Sequence, residues 1–511
     1  MDRHKSDNKI KKLEELAKIV QKLKDKGKIV VHCHGVFDLM HPGHVKHFEA
    51  AKKEGDALIV TVTPDKYVGK GPGRPVFNQH LRAESIAALE CVDYVAINNW
   101  NTAVETIKLI KPNVYVKGSD YIAPEADITG GIYHERDVIE SVGGKIHFTD
   151  EITFSSTELL NKFFNVYPNE AKEFLEVFRS KFSYSHLIEK LKALKDLKVL
   201  IIGDTIIDEY HYCKAMGKSP KETIISTRFT GEERFAGGVL ACANHLAGFC
   251  GEVHLATCLG AVDSKENYIL DHLKPNIEHK FFYRNDTQTV VKRRFVDPDF
   301  LTKMFEISFL DDYSLPQSVS LEVCKYLNDV LDNYDCVIVS DFGHGFIDEN
   351  IINVLCKKAR FLSVNTQTNS ANIGYNLITK YPRADYVCID EPEIRLADHN
   401  KYGELKEIIL EVAKKLKAKR FAVTRGHLGC ITYDEGNGFY ETPVFTNKVV
   451  DRVGAGDAFL SITSPMVVNG NTMDIIGFAG NAVGAMAVGI VCNRASIEPI
   501  HLYKFITSLL K

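Results

Sequence analysis

Apolar and polar positions follow two rhythms along the chain, and their order predicts its architecture. Ile10, Leu13, Ala17, Val20 and Leu23 recur at helical spacing among lysines and glutamates, which predicts a surface helix over 10–26 leading into a strand at 29–32. Residues 58–62 form a β-rich apolar run and 79–89 a helical pattern. A strand at 94–97, a helix at 104–110, a strand at 114–117 and a last helix near 156–164 follow. This alternation predicts βαβ units around a mainly parallel sheet. From 168 to 195 the chain turns to Lys, Glu and aromatic residues without a β-rich run, the pattern of a helical connector. A second α/β series opens with the strand 199–202, and 337–339, 361–364, 386–389 and 421–424 are its central strands. The prediction is an α/β chain of two doubly wound domains, 1–167 and 196–511, joined by the connector 168–195. The halves carry different motifs and are not duplicates.

Composition narrows the class of function. The 511 residues are 45% hydrophobic and 25% charged, ordinary for a globular chain. With 63 basic against 67 acidic residues, bulk charge gives no grip on nucleic acid or an anionic membrane. The stretch 475–492 is long enough to raise a membrane span, but Asn481 and four glycines favour a buried small-residue helix. The N-terminus lacks the apolar core of a secretory signal. The 12 cysteines include no C-x-x-C pair, which suits reduced thiols in a cytoplasmic protein better than a zinc site or disulfide framework.

The strand 29–32 runs into His34-Gly35-Val36-Phe37-Asp38-Leu39-Met40-His41-Pro42-Gly43-His44, and helix signals follow at once. His41 and His44, three apart across a Pro-Gly turn, can face one anion at a helix N-terminus. Gly35 and Gly43 let the backbone approach a phosphate closely. A bare H-x-x-H would more simply cap the helix. The whole string, however, resembles the G-x-F-D-x-x-H-x-G-H signature of the cytidylyltransferase-like nucleotidyltransferases. That resemblance implies that His41 and His44 stabilise the α-phosphate of a nucleoside triphosphate while a substrate phosphate attacks and pyrophosphate leaves. It extends over the N-terminal domain. Gly35 and Phe37 belong to the nucleotide-binding motif, and Lys70 lies in the glycine-rich 69–75 loop, where a solvated lysine is the plainer alternative. Lys117-Gly118-Ser119-Asp120-Tyr121 resembles a K-G-G-D-Y segment of heptose-phosphate adenylyltransferases, with Lys117 and Asp120 at the nucleotide. Ser155, Ser156 and Thr157 open the last helix, either as a capping box or as a hydroxyl-rich phosphate site.

The second half carries Asp451-Arg452-Val453-Gly454-Ala455-Gly456-Asp457, a glycine-rich turn that opens a helix and ends in an acid. Such a turn makes an anion nest, and Asp457 could take a proton from a substrate hydroxyl. With Gly237-Gly238, Asp208 and the Thr424–Gly429 segment, it resembles the ribokinase family of small-molecule kinases. That family implies Asp457 as catalytic base and Gly454, Ala455 and Gly456 as anion hole. It implies Asp208, Gly237 and Gly238 at the sugar, and Thr424, Gly426, Gly429 and Asn481 at the nucleotide. Glu393, with Asp390 where the family has asparagine, would position the metal. Ala241 stands in place of a sugar-contacting asparagine, and 365–369 lacks the family's lysine. Lys292-Arg293-Arg294 would either bind a sugar phosphate or blunt a solvated edge strand, with equal weight.

Together the halves resemble the bifunctional heptose kinase–adenylyltransferases with their order exchanged. The fold expectation is thus two Rossmann-like domains, a nucleotidyltransferase fold followed by a ribokinase-like fold. The resemblance implies ATP and Mg²⁺, with CTP an alternative for the transferase, and sugar phosphates and nucleoside triphosphates as partners. It also implies a homodimer through the kinase half. A CDP-alditol or CDP-sugar cytidylyltransferase, and a kinase half reduced to a sugar-binding module, stay open.

Overall fold

The structure is a computed structural model of the 511-residue chain and describes residues 8–118, 131–149, 167–311 and 313–511. The chain divides into two compact units, Met1–Val166 with Ile500–Lys511, and Tyr167–Pro499.

The first unit is built on β1 (Val30–Gly35), β2 (Ala57–Val62), β3 (Tyr94–Ile97), β4 (Val114–Gly118) and β5 (Lys145–Thr149). They form one parallel sheet in the order β3-β2-β1-β4-β5. Helix α1 (Leu13–Asp25) precedes β1, and α2 (Pro42–Lys53), α3 (Gln79–Ala87), α4 (Val104–Ile110) and α5 (Gly131–Ser141) run between the strands. Helices cover both faces, so β2 is buried at every position and reads as a continuous apolar run. On β1, Val31 and Cys33 pack against Phe48 of α2 and Ile86 of α3, while Val30 faces the opposite cluster of Leu13, Leu16 and Val20. Strand order reverses between β1 and β4, and ligands bind beyond the strand ends at such a switch point.

The second unit begins with α6 (Asn169–Lys181) and α7 (Tyr184–Lys192), then β6 (Lys198–Lys218), β7 (Ile225–Gly238), α8 (Val239–Phe249), β8 (Glu252–Gly260), α9 (Glu266–His272), β9 (Ile277–Arg284), β10 (Val290–Asp297) and β11 (Thr302–Phe309). There follow α10 (Gln317–Val330), β12 (Cys336–Asp341), α11 (Glu349–Lys358), β13 (Leu362–Thr366), β14 (Tyr386–Asp390), α12 (Glu391–Ala397), α13 (Leu405–Leu416), β15 (Arg420–Thr424), β16 (Cys430–Asp434) and β17 (Gly438–Thr442). Helices α14 (Ala455–Val468), α15 (Met473–Ala487) and α16 (Pro499–Leu510) complete the chain, with α16 lying almost wholly in the first unit. The main sheet runs β9-β8-β6-β12-β13-β14-β15-β16-β17, parallel except for β16 and β17. Past Asp204, β6 leaves it and enters a smaller sheet, β11-β10-β6-β7.

Three features differ from the patterns in the sequence. Strand β6 extends far beyond 202, because its charged second half is neutralised by partners on β10 that no local pattern announces. The connector 168–195 is packed into the second unit, with the Phe178 ring stacked on Phe478 of α15 at 4.4 Å. Residues 500–511, expected in the kinase half, join the first unit. The apolar stretch near 475–492 is the buried α15, where Gly480 lets the Phe459 ring approach closely. No helix among the described residues is long and apolar enough to cross a membrane.

Candidate active sites

In the first unit the site forms where β1 ends and α2 begins. His41 is the N-cap of α2, with Pro42 at the first helical position, and its Nδ1 accepts from the Gly43 N–H at 3.1 Å. A neutral imidazole that accepts at Nδ1 carries its proton on Nε2. Nε2 of His41 and Nδ1 of His44 are buried without a hydrogen-bond partner. The two rings stack at 3.9 Å between centroids. Burial holds the His41 ring below its ordinary pKa, and burial with the neighbouring His41 pushes His44 down to about 3. Both rings are therefore neutral; the His41 Nε2–H is the donor poised for an anion, and a bound anion would itself favour protonation of both rings.

The backbone explains the motif. Phe37 adopts φ 49°, and its ring meets the His44 edge at 5.4 Å. A Cβ on Gly35 would stand 2.8 Å from that ring, so only glycine fits there. Asp38 accepts from the Val76 and Phe77 N–H groups and faces Arg74 at 3.6 Å, fastening the 69–77 loop over the site. Lys70 is partly buried in this loop, and burial lowers it to about 8. Lys117 ends β4 paired with Glu135 of α5 at 2.9 Å, so its charge is already balanced. Asp120, Ser155, Ser156 and Thr157 lie outside the described residues.

Sequence patterns missed Arg82, which is buried on α3 and ties four segments together. Its guanidinium donates to the carbonyls of Thr63 (2.8 Å), Phe77 (2.9 Å) and Val36 and pairs with Asp65 at 2.5 Å. Nothing in the helical pattern 79–89 marks it, because its acceptors are mostly carbonyls that no sequence displays.

In the second unit Asp457 sits in the first turn of α14, whose N-cap is Gly454 at φ 84°. A Cβ on Gly454 would overlap the Asn493 amide, whereas Gly456 faces open space. The Ala455 N–H reaches the Arg452 carbonyl at 3.4 Å, and the open space beside Gly456 leaves room for a phosphoryl group at the start of α14. Asp457 accepts from Gln367 Nε2 at 2.8 Å, and burial raises it to about 6. A carboxylate at that level is ionised at neutral pH and still basic enough to take a proton. Asp208 and Lys292 act electrostatically on Asp457, so the structure brings the candidate base and the candidate sugar ligand together. Gly237 is demanded by Asp208, whose carboxylate fills the space of a Cβ, and Gly238 turns into α8 at φ 57°.

The basic cluster is resolved. Strand β10 lies between β6 and β11, so the edge-strand alternative fails. Arg293 pairs with Glu209 at 2.7 Å on one face, and Arg294 with Asp208 and Glu306 on the other. Lys292 is buried beside the Phe342 ring, 5.8 Å from its centroid, with no carboxylate or carbonyl bound among the described residues. His344 Nε2, also buried, has no hydrogen-bond partner and feels the Lys292 charge.

At the nucleotide end, Thr424 pairs in register with Asp390. Gly426 and Gly429 take left-handed φ of 56° and 87°, and a Cβ on Gly429 would overlap the Thr442 carbonyl. Asn481 donates to the carbonyls of Thr442 (2.8 Å) and Pro443 (3.0 Å), which holds the chain leaving β17. Asp390 caps α12 by accepting from Glu393 N–H, and Glu393 accepts from Thr368 N–H at 2.8 Å. Burial and the adjacent Asp390 raise Glu393 to about 8. Two buried carboxylates raised side by side suit a divalent cation, although no cluster of three ligating side chains occurs among the described residues. Three asparagines of the 365–376 segment hold its backbone: Asn369 and Asn372 donate to the Phe342 carbonyl and Asn376 to those of Asp341 and Gln367.

Residues 32–162 match the cytidylyltransferase-like family model, and 196–497 match the pfkB family carbohydrate kinase model. The chain is 40% identical over 171 residues to "Bifunctional protein HldE" of Geobacter metallireducens, covering 32% of this chain and 33% of that one. It is 45% identical over 147 residues to the protein of that name from Aliarcobacter butzleri, 28% and 30% of the two chains. It thus spans about a third of the length of the curated relatives it matches. Phosphofructokinase-2 from Escherichia coli, in a crystal structure with potassium, shares the fold at 13% identity and TM-score 0.50, over 62% of this chain and 100% of that one. The second model covers more than half of the residues, so the chain belongs to the pfkB family of carbohydrate kinases and carries a cytidylyltransferase-like domain ahead of its kinase.

Proposed function

We propose that the kinase unit phosphorylates the anomeric hydroxyl of a sugar that already bears a phosphate, and that the transferase unit joins a sugar 1-phosphate to a nucleotide with release of pyrophosphate. The reading is supported most by the grouping of Asp208, Lys292 and Asp457 at one site. Asp208 would hold sugar hydroxyls, and Lys292 offers a desolvated cation to the phosphate the sugar brings. Asp457 takes the proton of the attacking hydroxyl, and the N–H groups of Gly454–Gly456 receive the charge that builds on the transferred phosphoryl group. Asp390 and Glu393 would hold Mg²⁺, which neutralises the phosphates of ATP when bound. In the other unit His41 and His44 donate to the α-phosphate, with Lys70 beside them.

The likeness of the N-terminal third to the HldE proteins favours a heptose 1-phosphate and ATP over a CDP-alditol route. The protein would then act in the cytoplasm, where ATP is supplied. The test offers the intact chain each nucleoside triphosphate with heptose and other sugar 1-phosphates and measures pyrophosphate. It also offers ATP with the sugar phosphates and measures ADP. Pyrophosphate with ATP and heptose 1-phosphate is expected. Turnover with CTP alone would replace the adenylyl reading, and no ADP from any sugar would reduce the kinase half to a binding module. Asp457→Asn is expected to lower ADP formation by roughly 10²–10⁴-fold; unchanged formation would remove Asp457 as base.

A further inference from the structure

The pfkB match ends at residue 497, yet α16 follows it and residues 500–511 pack in the first unit. The helix is not a loose tail: Leu502, Phe505, Ile506 and Leu509 are fully buried. Two of its side chains meet the Lys70 loop. A Cβ on Gly69 would lie 2.6 Å from the His501 ring, and one on Gly71 would overlap the Phe505 ring. Both glycines also hold left-handed φ, 58° and 94°. The loop backbone is thus pressed flat against α16 where any other residue would force it away. Lys70, between these two glycines, is near enough to His44 to act on its charge.

From this contact we infer that α16 is a positioning element of the transferase site, in which His501 and Phe505 set the Gly69–Gly73 loop so that Lys70 reaches the triphosphate. Neither side chain need touch the nucleotide. Fixing the backbone on both sides of Lys70 holds its ammonium in place before binding, which removes an ordering cost that a free glycine-rich loop would carry. The inference rests on the transferase reading above. It also gives the placement of 500–511 in the first unit a use: the helix that carries this buried face brings the brace to the loop.

The test uses the full chain with His501→Ala, His501→Gln and Phe505→Leu. Hydrogen exchange of the peptide spanning 69–75 reads the brace without any turnover, and initial rates of pyrophosphate release read its effect. Expected are faster exchange in that peptide and a KM for the nucleoside triphosphate raised roughly tenfold in His501→Ala and Phe505→Leu. kcat should change less, ADP formation should be unaltered, and His501→Gln should recover most of the loss. Unchanged exchange in both variants overturns the brace. Faster exchange with an unaltered KM overturns the positioning role. A parent chain that releases no pyrophosphate defeats the transferase reading instead, while the exchange measurement still decides whether α16 holds the loop.

Discussion

In the proposed kinase site, single side chains are tuned by their surroundings. Burial raises Asp457 to about 6, and the Gln367 amide, by donating to the ionised carboxylate, works against that rise. Asp457 accepts a proton only when ionised. ADP formation is therefore expected to fall about tenfold per pH unit below about 6, visible in a kcat/KM–pH profile. Gln367→Leu removes a hydrogen bond to the charged form, so the acid limb should move to higher pH; a limb that stays put or moves down contradicts the assignment. In the proposed reading Lys292 is the other deciding group. Lys292→Met should raise the KM for a phosphorylated sugar at least tenfold and barely change that for the unphosphorylated one, a split that steady-state kinetics can read.

At the level of elements, loops are held by side-chain donors as much as by their own backbone. Arg82 bonds the loops after β1 and β2 and the segment before α3 at once. Arg82→Met would leave buried carbonyls unpaired and is expected to cost the first unit about 3 kcal/mol or more. The single tryptophan, Trp100, packs partly buried in that unit, so its fluorescence during urea unfolding follows this unit selectively. An unshifted Trp100 transition would show that Arg82 is not the tie described. In the second unit, Asn369, Asn372 and Asn376 play a similar part for the turn after β12. The string 365–369, which departs from the ribokinase family's pattern, thereby has a structural use.

Across the whole molecule the two proposed sites lie in units with separate sheets and separate core clusters among the described residues. Each site draws its side chains from its own unit, and no described candidate residue is shared. His44→Ala should therefore cut pyrophosphate release by roughly 10²–10³-fold and leave ADP formation intact, and Asp457→Asn should do the reverse. Loss of both activities from either substitution would mean that the sites are coupled.

What the sequence determined alone is local. Strands at 94–97 and 114–117 and the helix at 104–110 were legible because apolar spacing repeats over a few residues, and the structure has them at those places. The two glycine-containing motifs were legible because glycine, histidine and aspartate at fixed short spacings meet a requirement of backbone geometry, as Gly35 under the Phe37 ring shows. Tertiary structure decided what lies far apart along the chain. Asp208 and Glu209 find arginines more than eighty residues away, which turns a charged run into the strand β6. Lys292 differs from its neighbours Arg293 and Arg294 only because the sheet pairs those two with carboxylates. The placement of α16 beside the Lys70 loop follows from burial of one apolar helix face, and a helix face by itself does not say which core it will complete.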